Sequence, residues 1–495
     1  MLDDRILLKT SPRRRNWNSP RIFLMRHNEE FMTNRVAFCT FGCRINQYDT
    51  ETVRTLLEES GRFRTVSMHQ PADVYVVNTC SVTAQADATA RKAIRRIQRG
   101  QPAARIVVTG CYAQRVPAEI ARLPGVILVL GVLDRRRIVS EIEQCLAIAQ
   151  LHEKRSINNR KISQRITVSP VSTAHAFSEI PITRMMDRSR AVVKIQDGCN
   201  GACSFCIIPQ TRGPSRSRQP RQVIEQITRL VENGYREIVL AGVHLGDYGS
   251  DFGKKPILSD LIRRILAIPG LVRFRLSSIG PNVIDKEIIE LMASENKFAR
   301  HFHIPLQSGS DPILARMKRD YNVAQFEKLL RDITDAIPDC GIGTDIICGF
   351  PGESDARFHE TVTRISDLPI SYLHPFTYSA RPGSLAESYA DQVPNEQKKS
   401  RTRILKQLSH AKNRAFRERY PGRIARVLLE TRGKDPIKDC GENDGEMGAT
   451  YFGWTDNYLR VTMRGIPTGT DRLETVRISG INSDGLIGVF DSEKP

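Results

Sequence analysis

The chain alternates short apolar runs with amphipathic stretches, and the first block of this alternation extends from Arg35 to about Gln150. Runs rich in Val and Ile predict strands, and the stretches of helical periodicity between them predict helices. The predicted strands are Val36–Phe38, Val74–Val77, Arg105–Val108 and Val126–Leu130, and the predicted helices are Tyr48–Glu59, Ala84–Arg99, Pro117–Leu123 and Asp134–Ile148. This βαβ order predicts an open, mostly parallel α/β sheet.

A second block of the same kind extends from Ala191 to about Ser379, with a helical pattern between successive strands. Its predicted strands are Ala191–Ile195, Glu237–Leu240, Arg273–Leu276, His301–Ile304, Gly343–Ile347 and Ser371–Tyr378. Six βα units predict a partial TIM-type (βα)6 barrel, whose active site is expected at the C-terminal ends of the strands.

The last part of the chain begins with a basic stretch. Residues 398–426 contain eleven Lys or Arg and a single acid, Glu418, and much of this stretch is predicted to be a helix from Gln397 to about Arg419. After Pro421-Gly422 the pattern changes to short strands, which predict a small antiparallel β-barrel. These strands are Ala425–Leu429, Tyr458–Met463, Thr475–Ile481 and Leu486–Phe490.

The pattern divides this α/β chain into five segments. Residues 35–150 are the predicted N-terminal α/β domain, and residues 189–420 are the predicted barrel domain with its basic C-terminal helix. The segment 151–188 between them is polar and aperiodic, which predicts a linker, and residues 421–491 are the predicted small β-barrel. Residues 1–34 are predicted to be a disordered basic tail or the product of an over-long gene start.

Composition and net charge limit the class of partner and the cellular compartment that we expect for this protein. Seventy-four basic residues against 55 acidic ones give a net charge of +19, which favours a polyanionic partner such as nucleic acid. Eleven cysteines spread over 495 residues do not form the dense pattern of a secreted disulfide scaffold. The longest apolar stretch, Leu123–Leu133, is too short to span a membrane. We therefore expect a reducing, cytoplasmic location and no membrane partner.

One loop carries the strongest chemical signal. Cys199, Cys203 and Cys206 have the spacing C-x3-C-x2-C and directly follow the first predicted barrel strand. Soft thiolates hold the irons of an iron–sulfur cluster, and three thiolates leave one iron of a four-iron cluster open. An open iron can bind a substrate or a cofactor, so this loop predicts redox chemistry at the barrel mouth.

A second group of cysteines follows three successive strands of the N-terminal sheet. Cys43, Cys80 and Cys111 each come at the end of a predicted strand, and two of them are preceded by glycine. Because the C-terminal ends of parallel strands meet at one edge of a sheet, these thiols are expected to converge into a second metal site. The alternative is that each is a small buried hydrophobe. Five cysteines lack any such pattern and are interpreted as structural: Cys39, Cys145, Cys340, Cys348 and Cys440.

These two cysteine groups, in this order along the chain, resemble the radical S-adenosylmethionine (SAM) methylthiotransferase family over about residues 35–490. The C-terminal part resembles the TRAM RNA-binding domain, apart from an acidic, glycine-rich insertion at Lys434–Ala449. The segment Gly42–Glu51 is most similar to the MtaB-type subgroup, which acts on threonylcarbamoyladenosine beside the tRNA anticodon. Four further stretches match the family: Leu240–Gly249, Arg275–Ser278, His303–Ser310 and Gly343–Glu353.

The resemblance implies a fold, two clusters and a reaction. One 4Fe–4S cluster would be held by Cys199, Cys203 and Cys206 and would bind SAM, and a second would be held by the other three cysteines, Cys43, Cys80 and Cys111. The product would be 2-methylthio-N6-threonylcarbamoyladenosine in the anticodon stem-loop of tRNA. The implied partners are tRNA, SAM and an electron donor such as flavodoxin or ferredoxin.

Several residues near the predicted strand ends are candidates for contact with SAM or RNA. The SAM candidates are Phe205, Gly242, Ser277, Gln307 and Asp345, each of which has a structural alternative as a core, turn or capping residue. The RNA candidates are Arg212, Arg216 and Arg218 after the cluster loop, and Tyr451, Phe452, Trp454 and Tyr458, some of which are expected to fill the small barrel. His244, His301 and His303 are expected to pack or donate hydrogen bonds rather than bind metal.

Two further hypotheses remain open. A methylthiotransferase of this kind could act on isopentenyladenosine in tRNA or on an aspartate of a ribosomal protein. A protein that is not an enzyme, an iron–sulfur RNA-binding regulator, would need no SAM pocket, so the polar residues at the barrel strand ends argue against it.

Overall fold

The computed structural model describes residues 33–154, 164–186, 189–253, 258–430, 450–464 and 473–490. The predicted tail, residues 1–34, lies outside the described residues except for its last two, and Asn34 begins the first strand. The insertion Lys434–Ala449, which includes Cys440, also lies outside them.

The N-terminal region is a six-stranded parallel sheet in the order β2-β1-β3-β4-β5-β6. Its strands are β1 Asn34–Thr40, β2 Phe63–Thr65, β3 Val74–Thr79, β4 Arg105–Gly110, β5 Val126–Leu130 and β6 Arg165–Thr167. The two edge strands were not predicted because a strand of three residues shows no periodicity. Strand β6 lies inside the segment predicted to be a linker and pairs with β5, so that part of the prediction is wrong.

Helices cover both faces of this sheet, and apolar clusters fill the space on each side. They are α1 Arg44–Glu59, α2 Ala84–Gly100, α3 Cys111–Arg115, α4 Pro117–Ala121 and α5 Ile138–Lys154. Strands β3 and β5 are buried at every position, as expected for central parallel strands covered on both faces. Helix α1 also reaches the next domain, because Ile45 and Tyr48 belong to the core of the barrel.

The central region is the predicted partial barrel of parallel strands. Two sheets, one with β7, β9 and β10 and the other with β11, β12 and β13, are joined by bridges between Phe274 and Phe298 and between Ser278 and His303. The strands are β7 Arg190–Asp197, β9 Glu237–Gly242, β10 Arg273–Leu276, β11 His301–His303, β12 Gly341–Cys348 and β13 Tyr372–Thr377, with the short β8 Arg216–Ser217 antiparallel to β7.

The helices of this region pack around the barrel and share one large apolar core with its strands. Helix α11 begins with a capping box formed by Asn322 and Gln325, which satisfies the free N–H groups of its first turn. The helices are α6 Ile208–Arg212, α7 Pro220–Glu232, α8 Leu258–Leu266, α9 Lys286–Ser294, α10 Asp311–Arg316, α11 Val323–Ala336, α12 Asp355–Asp367 and α13 Asn395–Arg417. Helix α13 is the predicted basic helix, and it leads into the last domain.

The C-terminal region is a closed five-stranded barrel in the order β14-β15-β16-β18-β17. Its strands are β14 Ile424–Leu429, β15 Thr450–Trp454, β16 Arg460–Arg464, β17 Leu473–Ile481 and β18 Leu486–Phe490. All neighbours pair antiparallel except β16 and β18, which are parallel. The small barrel contacts strand β10 of the large one, where Arg275 donates to the carbonyls of Thr455 at 3.1 Å and Asp456 at 2.7 Å.

In the part of the chain that the structure describes, every helix is too short or too polar to cross a membrane.

Candidate active site

Three cysteines lie at the C-terminal edge of the N-terminal sheet. Cys43 precedes α1, Cys80 follows β3 directly, and Cys111 is the first residue of α3 after β4. Gly42 has a φ of +99°, and a Cβ added there would lie 2.6 Å from the Cβ of Cys80. Only glycine therefore allows the turn before Cys43 to approach Cys80 so closely.

The turn before Cys111 depends on the same kind of close approach. Gly110 has a φ of +96°, and an added Cβ would lie 2.3 Å from the carbonyl oxygen of Thr79. Asn46 connects the first two turns, because its side-chain amide donates to the carbonyls of Phe41 at 2.8 Å and Thr79 at 3.1 Å. The structure thus brings three thiols together that are far apart in sequence, as the parallel sheet predicts.

The second group of thiols lies in the loop after β7, and each sulfur accepts a hydrogen bond. Backbone N–H groups donate to Cys199 at 3.3 Å and to Cys206 at 3.4 Å, and the guanidinium of Arg319 donates to Cys203 at 2.9 Å. Burial raises the pKa of Cys199 to about 11 and that of Cys206 to about 12. Cys199 and Cys206 therefore lose their thiol protons when a metal ion replaces the protons, and not through pH alone.

A cavity of about 570 Å³ opens between the N-terminal sheet and the mouth of the barrel. It is lined by all three thiols of the first group and by three of the five predicted SAM contacts. These residues are Cys43, Cys80, Cys111, Gly242, Ser277 and Asp345. Ile208, two residues after Cys206, also lines the cavity.

The two other predicted SAM contacts do not line this cavity. Phe205 packs edge-on against Phe350, with ring centroids 6.5 Å apart. Gln307 has a φ of +72°, which is rare for a residue other than glycine, and its backbone N–H donates to the carbonyl of Asp345 at 2.8 Å. The roles of all five residues in binding SAM stay predictions.

A polar cluster forms part of the cavity wall. His303 Nε2 lies 2.9 Å from Asp345 Oδ1, and His374 Nδ1 lies 3.5 Å from the same oxygen. Burial alone would raise the pKa of Asp345, but the hydrogen bonds from both histidines outweigh it and lower the pKa to about 2. The three side chains are close enough to share a metal ion, but their mutual hydrogen bonds satisfy them without one.

A buried ionic network connects the two thiol groups through Arg212. Its guanidinium donates to Cys111 Sγ at 3.3 Å, to Asp197 at 2.9 Å and to Asn46 at 2.7 Å. Asp197 in turn accepts from the backbone N–H of Gly198, the residue before Cys199, at 3.0 Å. One side chain thus ties the turn at Cys111 to the loop that begins the C-x3-C-x2-C motif.

This burial overturns the expectation that Arg212, Arg216 and Arg218 face an incoming anticodon loop. Their exposed fractions are 1%, 3% and 1%. Arg218 pairs with Glu179, and Arg216 donates to the carbonyls of Arg212 and Pro214. A buried arginine needs such partners, and residues distant in sequence provide several of them, so the local sequence gave no sign of the burial.

The four aromatic residues predicted to stack on RNA bases lie in two different environments. Tyr451 packs edge-on against Phe490 beside the core of the small barrel, and Phe452 lies under the guanidinium of Arg460. Trp454 and Tyr458 instead stack on each other at the contact between the two barrels, with ring centroids 4.6 Å apart. Tyr458 is part of the wall of the cavity described above.

Both thiol groups suit iron–sulfur clusters better than a single zinc or a disulfide. Each offers three sulfurs, and in both groups an arginine donates to one of them, which is how protein N–H groups stabilise cluster thiolates. His244 and Asp247 lie near Cys199, but they pair with each other at 3.2 Å. Of the cysteines interpreted as structural, Cys145, Cys340 and Cys348 are buried, as expected.

Two family profiles match the chain. The Radical SAM superfamily matches residues 193–365, and the uncharacterized protein family UPF0004 matches residues 35–131. The partial barrel with a three-cysteine loop after its first strand therefore defines a radical SAM protein with an additional N-terminal domain.

Curated relatives identify the family more closely. The threonylcarbamoyladenosine tRNA methylthiotransferase MtaB of Bacillus subtilis is 39% identical over 90% of this chain and 93% of its own length. The MtaB of Aquifex aeolicus is 38% identical over 80% of this chain and 92% of its own length. The tRNA-2-methylthio-N(6)-dimethylallyladenosine synthase of Thermobifida fusca is 33% identical over 79% of this chain and 76% of its own length. The chain belongs to the radical SAM methylthiotransferase family.

A solved structure also resembles the fold. The radical SAM methyltransferase TsrM of Kitasatospora setae superposes with a TM-score of 0.49 at 15% identity, over 72% of this chain and 75% of that one. Family membership, and not this likeness, implies two 4Fe–4S clusters and SAM as the cofactors, and the two thiol groups fit them.

Two residues of the site carry no signal of their own in the sequence. Arg319 lies 116 residues from Cys203, to which it donates. Arg44 directly follows Cys43 and lines the cavity, but an arginine at the start of a helix has no distinguishing pattern. The clues available for Arg44 were its place beside Cys43 and inside the segment Gly42–Glu51, which resembles the MtaB-type subgroup.

Proposed function

We propose that this protein is a tRNA methylthiotransferase that converts N6-threonylcarbamoyladenosine beside the anticodon into its 2-methylthio derivative. One structural observation carries the proposal: the turns that hold Cys43, Cys80 and Cys111 open into the same cavity as the barrel strand ends. A group held by these thiols would face a base placed at the mouth of the barrel. The identity to two MtaB enzymes over most of the chain supports the choice of substrate.

We assign Cys199, Cys203 and Cys206 to the cluster that binds SAM, and the other three cysteines to a second cluster. When bound, the clusters and SAM supply a radical able to take hydrogen from an unreactive adenine carbon and a sulfur to replace it. The chain itself orients these groups. Arg319 and Arg212 hold one thiol of each group by a hydrogen bond.

The basic surface supports a tRNA partner. Exposed cations on α13, such as Lys399, Arg403 and Lys406, offer phosphate contacts that add affinity without reading bases. SAM is the small-molecule partner, and a flavodoxin or ferredoxin is the proposed electron donor. A cytoplasmic location, where thiols stay reduced and tRNA is abundant, belongs to the same proposal.

Nucleoside mass spectrometry of tRNA tests the function. In a deletion strain we expect the 2-methylthio nucleoside to disappear and N6-threonylcarbamoyladenosine to accumulate. The wild-type gene should restore the product, and the variants Cys203→Ala and Cys80→Ala should not. Unchanged tRNA nucleosides in the deletion strain would refute the proposal.

The same strains separate the alternatives. Loss of a methylthio group from isopentenyladenosine, or from a ribosomal protein in intact-protein mass spectra, would assign a different substrate to the same chemistry. Release of 5′-deoxyadenosine from SAM by the reduced, reconstituted protein would exclude a regulator without enzyme activity.

A further inference from the structure

Arg44 is a cation in the wall of the candidate active-site cavity, next to a proposed cluster ligand. It lines the cavity together with Cys43, Cys80 and Cys111, and its side chain is half-buried. Its guanidinium lies 3.5 Å from the hydroxyl of Tyr458, which is a weak contact at the limit of a hydrogen bond.

The buried arginines around this cavity differ from Arg44, because each of them pairs with a carboxylate. Arg212 pairs with Asp197 at 2.9 Å, and Arg275 pairs with Glu237 at 2.9 Å. Within the described ranges no carboxylate lies at ion-pair distance from Arg44. A partly desolvated guanidinium without a counter-charge favours an anionic ligand.

Tyr458 helps to define the position of Arg44. It has a φ of +70°, a strained conformation for an aromatic residue, and its ring lies 4.6 Å from the rings of both Trp454 and His301. Ring contacts with both neighbours hold the phenol near Arg44. The small C-terminal barrel thus contributes a side chain to the substrate cavity of the large one.

The local electrostatic potential also favours an anion. Burial alone would raise the pKa of Tyr458, but Arg44, Arg190 and Arg275 outweigh it and lower the pKa. Of these three arginines, Arg190 and Arg275 have acidic partners in the protein, Glu430 and Glu237. Among the described residues, Arg44 is the one of these three arginines without an acidic partner, which leaves it to pair with a group from outside.

We propose that Arg44 binds the carboxylate of the threonylcarbamoyl substituent and thereby selects threonylcarbamoyladenosine over isopentenyladenosine. This inference rests on the proposed function, since it names the contact that recognises its substrate. A guanidinium and a carboxylate form strong paired hydrogen bonds, whereas an isopentenyl group is a hydrocarbon and would leave Arg44 desolvated and unpaired. Tyr458 acts as a positioning residue for Arg44.

The test measures binding of anticodon stem-loops that differ only in the modified adenosine. Four RNAs carry threonylcarbamoyladenosine, its carboxyl methyl ester, isopentenyladenosine or plain adenosine. Fluorescence anisotropy with the anaerobically reconstituted full-length protein gives each affinity without requiring turnover. For the wild type we expect the free carboxylate to bind about 10- to 100-fold more tightly than its ester, the effect of a charge-assisted contact.

The variants separate recognition of the carboxylate from other roles. Arg44→Gln should abolish the preference and leave the affinity for plain adenosine unchanged, and Arg44→Lys should retain part of it. Tyr458→Phe should reduce the preference without reducing the affinity for plain adenosine. The matched control is Arg403→Gln, which replaces an exposed cation on α13. This variant should weaken the binding of all four RNAs by the same factor. Unchanged iron content and visible absorption show that each variant still holds its clusters.

Two results would overturn the inference. If Arg44→Gln weakens the binding of all four RNAs equally, Arg44 contacts a backbone phosphate instead. If the variant keeps the wild-type preference for the free carboxylate, another group binds the carboxylate. Failure of the proposed function is distinguishable, because a wild-type protein that does not methylthiolate the threonylcarbamoyl stem-loop with SAM and reductant fails before any variant is compared.

Discussion

Glu237 pairs with the two arginines that connect the large barrel to the small one. Its carboxylate is fully buried at the start of β9 and pairs with Arg275 at 2.9 Å and Arg273 at 3.4 Å. Both arginines also donate to backbone carbonyls of the small barrel, among them those of Trp454 and Thr455. Replacing Glu237 with Gln removes the negative charge and leaves two buried guanidinium groups with only neutral acceptors.

The expected loss of stability is about 3 kcal/mol. Breaking a buried ion pair from one side costs roughly 3–5 kcal/mol, because the remaining charge stays desolvated. The pKa of Glu237 agrees with this: burial raises it, but Arg275, Arg273 and Arg190 outweigh burial and lower it from 4.5 to about 2. At about 1.4 kcal/mol per unit, that shift corresponds to roughly 3 kcal/mol.

Tryptophan fluorescence can report this contact directly. The chain has two tryptophans, and Trp454 stacks on Tyr458 where the barrels meet. In a Trp17→Phe background, urea titration of the full-length chain follows Trp454 alone, which avoids treating a multidomain protein as a single two-state unit. With an m-value of about 1–3 kcal/mol per molar urea, Glu237→Gln should lower the midpoint by about 1–3 M.

The matched control is Glu225→Gln on α7. Glu225 pairs with Arg221 on an exposed surface, where ion pairs contribute little to stability. The urea midpoint of the Glu225→Gln variant should therefore stay near that of the parent protein. If Glu237→Gln unfolds at the same urea concentration as Glu225→Gln, the buried pair does not hold the barrels together and the reasoning is wrong.

Three further predictions concern acid, the clusters and the redox potential. Because Glu237 has a lowered pKa, its contribution to stability is complete above about pH 4.5 and is lost as the pH falls towards about 2. The urea midpoints of the parent and of Glu237→Gln should therefore converge below pH 4.5. A constant difference between the two midpoints would contradict this. Cys203→Ala and Cys80→Ala should each bind half the iron of the parent, and iron analysis showing no loss in either would argue against two separate clusters. Arg319→Met removes a hydrogen bond to Cys203 that favours the more negative, reduced form of the cluster. A redox titration monitored by electron paramagnetic resonance should therefore show a lower reduction potential at unchanged iron content. An unchanged potential would count against this role of Arg319.

The local sequence was sufficient for most elements of the fold. Alternation of apolar runs with helical periodicity predicted the parallel sheet and the six barrel strands, because both signals depend on neighbours within one element. It failed for β2 and β6, which are too short to show a period, and for β15, where a glycine interrupts a run of aromatic residues. The domain boundaries, apart from β6 in the expected linker, stay predictions.

The sequence by itself determined which residues we propose as cluster ligands: two groups of three cysteines, one defined by tight spacing and one by its position after successive parallel strands. Only the tertiary structure decided what surrounds them. Arg212 became a buried link between the two groups and not an RNA contact, and Arg44 met Tyr458 across 414 residues. The physical reason is that a charged side chain can be buried or left unpaired only in relation to partners elsewhere in the chain, and no local pattern records where those partners lie.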